Sequence, residues 1–129
     1  MDKTVTPSDG PPGRVLLVQL PIPQLNFGRQ TGNIPLGAAC LKQAAEGFSG
    51  ARIDILPEST VTYLGDAALL ERILAAKADM VGFTVYGWNL HRSRYLCRKL
   101  KERRSLRIVF GGPEITPDNA AARSEYVDF

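Results

Sequence analysis

Short apolar runs alternate along this chain with segments of helical periodicity. The runs 14–20 and 79–85 are almost wholly apolar, which is typical of strands buried on both faces of a parallel sheet. The run 51–56 alternates, as expected of a strand with one more exposed face, and 106–110 predicts a fourth strand. A last run, 125–129, predicts the start of a fifth.

Between these runs, apolar residues recur at three- and four-residue steps and predict helices. The first helix begins near Ile34, with Asn33 as its N-cap, and the second is capped by Asp66. A third spans 90–104, and a short helix is predicted over 118–124. The expected apolar faces are Ile34, Ala38, Leu41 and Ala45, then Ala67, Leu70, Ile73 and Leu74, then Leu90, Ser93, Leu96, Cys97 and Leu100.

Alternating helices and buried strands predict a three-layer α/β fold, a flavodoxin-like (Rossmann-like) doubly wound parallel sheet of about five strands. The 129 residues suffice for one domain, which we assign to 14–129. Residues 1–13 are polar, end in Gly-Pro-Pro-Gly and predict a disordered leader. Because no helix follows the fifth strand, we expect the domain to be the N-terminal piece of a longer chain.

In such sheets ligands bind at the carboxyl ends of the strands, where the loops 21–33, 86–89 and 111–117 meet. The first loop has no G-x-G-x-x-G, and the chain has no Gly-Lys-Ser/Thr, which excludes the dinucleotide fingerprint and the P-loop. The first and third strands also lack the terminal acidic residues of a phosphoacceptor receiver domain. The aromatics and paired glycines of the other two loops suit a broad apolar ligand better than a phosphate.

These segments resemble the cobalamin-binding domain at the N-terminus of many radical S-adenosylmethionine enzymes. The resemblance covers 14–129, and its parts are Arg14-Val-Leu-Leu-Val18, Ile34-Pro-Leu-Gly-Ala-Ala-Cys-Leu41, Asp79-Met-Val-Gly-Phe-Thr-Val-Tyr-Gly-Trp-Asn89, Ile108-Val-Phe-Gly-Gly-Pro-Glu114 and Tyr126-Val-Asp128. Each part alone is weakly specific. Their order and spacing within one alternating fold are what carry the resemblance.

The resemblance implies a corrin across the strand ends, with its nucleotide tail between sheet and helices. Thr84, Gly111 and Gly112 match positions that line the tail in such domains. The candidate cofactor-binding residues are Thr84, Val85, Tyr86, Gly87, Trp88, Asn89, Gly111, Gly112, Pro113 and Glu114, with Asn33 and Ile34 at the first helix. The D-x-H-x-x-G motif, whose histidine ligates cobalt in other versions, is absent, so the first loop offers no histidine ligand.

The same resemblance implies that this domain binds and orients cobalamin for an enzyme of methyl transfer, radical rearrangement or cyclisation. S-adenosylmethionine and a 4Fe-4S cluster would belong to a downstream domain. Cys40 and Cys97 are too few for the three-cysteine cluster motif and are expected to be small core residues. The domain alone is therefore not expected to be catalytic, and no residue is assigned a catalytic or metal-ligating role.

Several residues keep two interpretations. Trp88 either covers the lower corrin face or packs the third helix onto the sheet, and Glu114 either binds a ligand amide or caps the last helix. His91, the only histidine, is expected to be solvated or hydrogen-bonded locally rather than bound to cobalt. The competing function is a corrin-free substrate-binding or interaction domain, which the missing D-x-H-x-x-G favours and the Gly-Gly pair opposes.

The net charge of +3 hides an asymmetry. The segment 91–107 holds eight basic residues and one acid, which gives +7 and leaves −4 for the rest of the chain. The basic residues surround the predicted helix, so we expect a solvated face or a surface for the downstream domain rather than a nucleic-acid site. No apolar run approaches a membrane span, and two cysteines suit a reducing, cytoplasmic compartment.

Overall fold

Four parallel strands form one sheet in a computed structural model that describes residues 13–23, 33–47 and 49–129. The strands are β1 (Arg14–Val18), β2 (Arg52–Ile55), β3 (Met80–Thr84) and β4 (Arg107–Gly111), in the order β2-β1-β3-β4. The helices are α1 (Leu36–Glu46), α2 (Glu58–Val61), α3 (Asp66–Ala75) and α4 (Leu90–Arg103), with a 3-10 turn at Ala120–Ala122. The predicted doubly wound α/β fold is confirmed. The predicted leader, apart from Gly13, and most of the first edge loop lie outside the described residues.

Successive side chains of each strand point to opposite faces of the sheet, and helices lie on both of these faces. On one face, Leu16, Val81 and Ile108 are buried in the core that α3 and α4 complete. On the other face, Leu17, Gly82 and Val109 stand in register across β1, β3 and β4. This second face and residues of α1 together line a cavity between the sheet and the helix.

The face that α4 turns toward the sheet is the one predicted from its spacing. Its buried residues are Leu90, Ser93, Leu96, Cys97 and Leu100. The helix ends at Arg103, one residue before the predicted end. Burial also raises the pKa of the Cys97 thiol, so this cysteine is a core residue as expected.

The prediction for α1 is wrong in its start and in its buried face. The helix begins at Leu36, and the side chain of Asn33 makes no cap. Within α1 only Ala38 is buried, while Ile34 and Leu41 are 68% and 63% exposed. The helix contacts mainly the edge strand β2, so its apolar stripe borders an open cavity instead of a closed core.

Cys40, also in α1, is exposed, which corrects the expectation that it fills the core. In α3, the N-cap position is Gly65, and the buried residues are Leu69 and Ile73. Of the predicted face, Ile73 is buried and Leu70 and Leu74 pack partly buried against the core, while Leu69 was not predicted. Asp66, expected as a cap, instead accepts a 2.6 Å hydrogen bond from Arg92 Nε.

The predicted fifth strand, 125–129, is wrong, because the described residues form a four-stranded sheet. The end of the chain does lie beside β4: the Asp128 N–H donates to the Ile108 carbonyl (2.8 Å), and the Phe110 N–H donates to the Phe129 carbonyl (2.9 Å). The Asp128 carboxylate, however, accepts the Ile108 N–H at 2.8 Å. A side chain thus occupies a donor that a regular ladder would use. The predicted helix over 118–124 shortens to the 3-10 turn.

No described helix is both long and apolar enough to cross a membrane.

A pair of leucine truncations tests this burial pattern. Leu96→Ala removes a fully buried side chain, and we expect a loss of about 2–5 kcal/mol in the free energy of unfolding. Leu41→Ala removes an exposed one, and we expect a change of about 0.5 kcal/mol or less. Urea unfolding of both variants measures the difference. Equal losses would contradict the exposed placement of the α1 stripe.

The two thiols should differ in reactivity. At pH 8 a disulfide reagent should modify Cys40 rapidly, because it is exposed. Cys97 should stay unmodified until the protein unfolds, because its raised pKa keeps the thiol protonated and burial excludes the reagent. Counting thiols released before and after denaturant checks this, and rapid modification of both in the native protein would contradict it.

Candidate functional site

A cavity of about 370 Å³ opens between α1 and the carboxyl half of the sheet. Its floor is Leu17, Gly82 and Val109, its wall is Gly37, Ala38 and Leu41, and its rim is Thr84, Tyr86, Gly111, Gly112 and Pro113, with Phe83 beside them. This volume lies in the range of small-molecule sites, which are mostly apolar with a few polar groups. Five of the predicted cofactor-binding residues therefore meet at one cavity.

Gly82 shapes the cavity floor and was missed from the sequence. A Cβ at this position would lie 2.8 Å from Leu17 Cδ2 and 3.2 Å from Val109 Cγ1. Leu17 and Val109 thus close in over Gly82, and no side chain rises into the cavity from the middle of the central strand. A glycine inside an otherwise apolar strand is a signal of close approach, and it could have marked this residue.

In the turn after β4, the backbone conformation and packing require a glycine at position 112 but not at position 111. Gly112 has φ +113°, and a Cβ there would lie 2.7 Å from the Val85 carbonyl oxygen. Gly111 has open space around its Cβ position, and its carbonyl accepts the Val85 N–H at 2.6 Å. Val85 is fully buried, and the backbone of the cavity rim at Gly111 and Gly112 packs against it.

The aromatic residues of the 86–89 loop form a stacked pair at the edge. The rings of Tyr86 and Trp88 are 4.5 Å apart between centroids and 6° from parallel. Trp88 is 48% exposed, whereas Tyr86 is half-buried and lines the cavity. Trp88 therefore does not act as a buried packing residue. Gly87 lies next to the Glu114 carboxylate, since a Cβ there would be 3.3 Å from its Oε1.

Asn89 holds the aromatic loop in place with its amide. Its Oδ1 accepts the Tyr86 N–H at 2.8 Å, and its Nδ2 donates to the carbonyls of Thr84 (3.0 Å) and Leu20 (3.2 Å). The residue is only 1% exposed. Its amide atoms are thus hydrogen-bonded within the protein, and they hold the 86–89 loop in position.

A second amide network joins the end of β1 to the start of α1. Gln19 Nε2 donates to Asn33 Oδ1 (3.0 Å) and the Ile34 carbonyl (3.3 Å), and Asn33 Nδ2 donates to the Gln19 carbonyl (2.9 Å). The Asn33 N–H donates to Glu58 Oε1. Asn33 is therefore a buried link between segments, and no local pattern predicts that it pairs with Gln19.

Glu114 belongs to the β4 turn rather than to the open cavity. Asn119 Nδ2 donates to the Glu114 carbonyl (2.9 Å) and to its Oε2 (3.2 Å). Because Asn119 precedes the 3-10 turn, Glu114 braces the segment that leads into it. The Glu114 side chain does not cap the 3-10 turn, which has no side-chain cap hydrogen bond, and the ligand-binding interpretation stays a prediction.

The described residues contain no group of three or more His, Cys, Asp and Glu side chains that could hold a metal ion. His91 is exposed and lines a separate cleft on α4, beside Arg94 and Tyr126. It is not among the residues that line the cavity.

A family model described as B12 binding domain matches residues 30–129. The chain belongs to the B12-binding domain family. The match includes α1, the aromatic loop 86–89 and the glycine-rich loop 111–117. It also includes every residue that lines the cavity except Leu17 of β1. Domains of this family have the fold seen here, and membership supports cobalamin binding. No curated protein matches the chain.

Two alanine substitutions separate the roles of the paired glycines. Gly112→Ala should cost about 1–3 kcal/mol of folding free energy, because its φ is positive and the Val85 carbonyl leaves no room. Gly111→Ala should change stability by about 0.5 kcal/mol or less, since nothing lies within 4 Å of the added atom. Thermal or urea unfolding compares them, and equal stability of the two variants would refute the tight turn.

Proposed function

We propose that this B12-binding domain binds cobalamin, with the nucleotide tail in the α1 cavity and the corrin over the carboxyl edge. The observation that carries the proposal is the shape of the cavity: an apolar pocket at the ligand-binding edge, with no side chain projecting from Gly82 on its floor. An apolar cavity of this size can take a flat ligand arm, and a larger side chain at residue 82 would narrow it. The apolar floor and wall and the single hydroxyl at the rim support the proposal that this cavity holds the cofactor's tail.

Each rim residue then has a role that follows from its position. Thr84 offers a hydroxyl at the end of β3, and Gly111 leaves open space where a side chain would block entry. Tyr86 and Trp88 offer a stacked aromatic surface outside the cavity mouth. Bound cobalamin would supply a cobalt–carbon bond for group transfer, while these residues bind and orient it.

Cobalt would receive no histidine from this domain's cavity. The cavity residues include no histidine, and the single histidine of the chain, His91, lies in the other cleft. We propose that the half-exposed indole of Trp88 covers the lower corrin face without ligating the metal. Asn89 supports this arrangement by holding the backbone on either side of Trp88.

We further propose that the domain serves a radical S-adenosylmethionine enzyme of methyl transfer, rearrangement or cyclisation. Support comes from the resemblance of the edge loops to the cobalamin domains of such enzymes, a group in which the D-x-H-x-x-G motif is commonly absent as it is here. S-adenosylmethionine and the 4Fe-4S cluster would be bound by a downstream domain. The two free cysteines suit the reducing cytoplasm in which such clusters survive.

Cobalamin retention tests the proposal. The protein is mixed with hydroxocobalamin, desalted, and its visible spectrum recorded. We expect corrin absorbance to co-elute, and Gly111→Phe to lower retention about tenfold or more, because the ring enters the cavity mouth. Gly65→Phe is the matched control: it too has open space around its Cβ, but it lies at the start of α3, away from the cavity. His91→Ala should leave the spectrum of the bound cofactor unchanged.

Loss of retention in both phenylalanine variants would point to destabilisation and not to a blocked cavity. If neither this chain nor a longer one that includes the downstream domain retains the corrin, the corrin-free interaction domain becomes the better interpretation.

A further inference from the structure

The basic segment 91–107 divides into two sets of residues. Four cations make short contacts with acids of the protein itself: Arg92 with Asp66 (2.6 Å), Lys101 with Asp128 (2.6 Å), Arg103 with Glu71 (2.9 Å) and Lys99 with Glu102 (3.0 Å). Three of these pairs tie α4 to α3 or to the C-terminal segment. Half of the basic residues therefore serve the fold.

Two arginines on the outer side of α4 are not neutralised in this way. Arg94 makes no ion pair with any described residue. Arg98 reaches only Glu102, at 3.9 Å, and Lys99 already holds that carboxylate at 3.0 Å. Exposed pairs at such distances contribute little, so positive charge remains available here.

Both arginines line one polar cleft of about 240 Å³ between α4 and the C-terminal segment, together with His91, Tyr95, Ser124 and Tyr126. The Arg98 guanidinium lies 5.6 Å from the centre of the Tyr95 ring, a cation–π contact that restrains it. A hydrogen bond to the Glu125 carboxylate raises the pKa of Tyr126, so the proton of this hydroxyl is already engaged within the protein. The positive charge of the cleft therefore comes from Arg94 and Arg98.

We propose that this cleft docks a partner protein through an extended acidic segment with two carboxylates on alternate residues. Arg94 and Arg98 are one helical turn apart, so their Cβ atoms are about 5–6 Å from each other. Alternate residues of an extended chain are about 7 Å apart on one side, which matches that spacing. From His91 to Arg98 the helix rises about 10 Å, longer than one phosphate group needs.

The composition of the cleft favours a protein partner over nucleic acid. Arginine and tyrosine are enriched among the residues that carry binding energy at protein interfaces. A nucleic-acid site instead needs a track of cations along several phosphates, and four of the eight basic residues are already engaged by internal acids. The cleft also lies on α4, across the sheet from the α1 cavity, so this proposal does not rest on cobalamin binding.

The test is an NMR titration of the isotope-labelled 129-residue chain at low salt with a decapeptide of alternating Glu and Gly. We expect shifts of the backbone amides at 91–98 and 124–126. The variant with both Arg94→Gln and Arg98→Gln should bind about tenfold more weakly. The matched control, with both Arg104→Gln and Arg107→Gln, loses the same charge from the same segment and should bind as the wild type does. Circular dichroism and urea unfolding establish that both variants are folded.

Four results would overturn the proposal. Equal weakening of both double variants would assign the binding to net charge, and an equal response to a Gln–Gly decapeptide would assign it to the peptide backbone. Inorganic phosphate that binds the same amides as tightly as the peptide would make the cleft a small-anion site. A ten-base-pair DNA duplex that binds them more tightly than the peptide would make it a nucleic-acid site.

Discussion

The close packing of the β4 turn against Val85 determines the carboxyl edge of this domain. Val85 donates its N–H to the Gly111 carbonyl, and its own carbonyl lies where a side chain on Gly112 would have to be. This contact sets how far the loop after β4 stands from the loop after β3. The cavity mouth lies between those two loops, so its width depends on a backbone contact that only glycine permits.

Two buried carboxamides extend this arrangement to the rest of the edge. Asn89 joins the end of β3 to the chain after β1, and Asn33 joins the end of β1 to the entry of α1. Both use their hydrogen-bonding atoms within the protein. Polar residues next to a predicted site can therefore serve to position it, while the surfaces left for a ligand are aromatic rings, glycine backbone and the Thr84 hydroxyl.

The strands, the parallel topology and the buried face of α4 could be predicted, because each depends on local periodicity and on rules that hold for all such sheets. The face of α1 could not, since its stripe has the same spacing as a core stripe, and only the tertiary structure shows that it borders a cavity. Gly82 was missed because the prediction followed the apolar period, to which a glycine does not contribute, and not the close approach that a strand glycine can mark. The fifth strand failed because the Asp128 side chain took a backbone donor, a choice that the apolar pattern of 125–129 does not encode.

For the candidate site, too, the sequence predicted one part and not another. That Thr84, Tyr86 and the paired glycines lie close together could be predicted, because the loops at one edge of a parallel sheet converge. It could not assign them separate roles, since those depend on distances such as the one between Gly112 and Val85.

The stacked pair at the rim gives the domain a built-in optical reporter. Trp88 is the only tryptophan of the chain, it is half-exposed, and it is stacked on a ring that lines the cavity. Its fluorescence emission therefore originates at the rim alone and is free of contributions from tryptophans in the core. Changes in polarity or ring contact at this edge can be followed in the native protein without any attached dye.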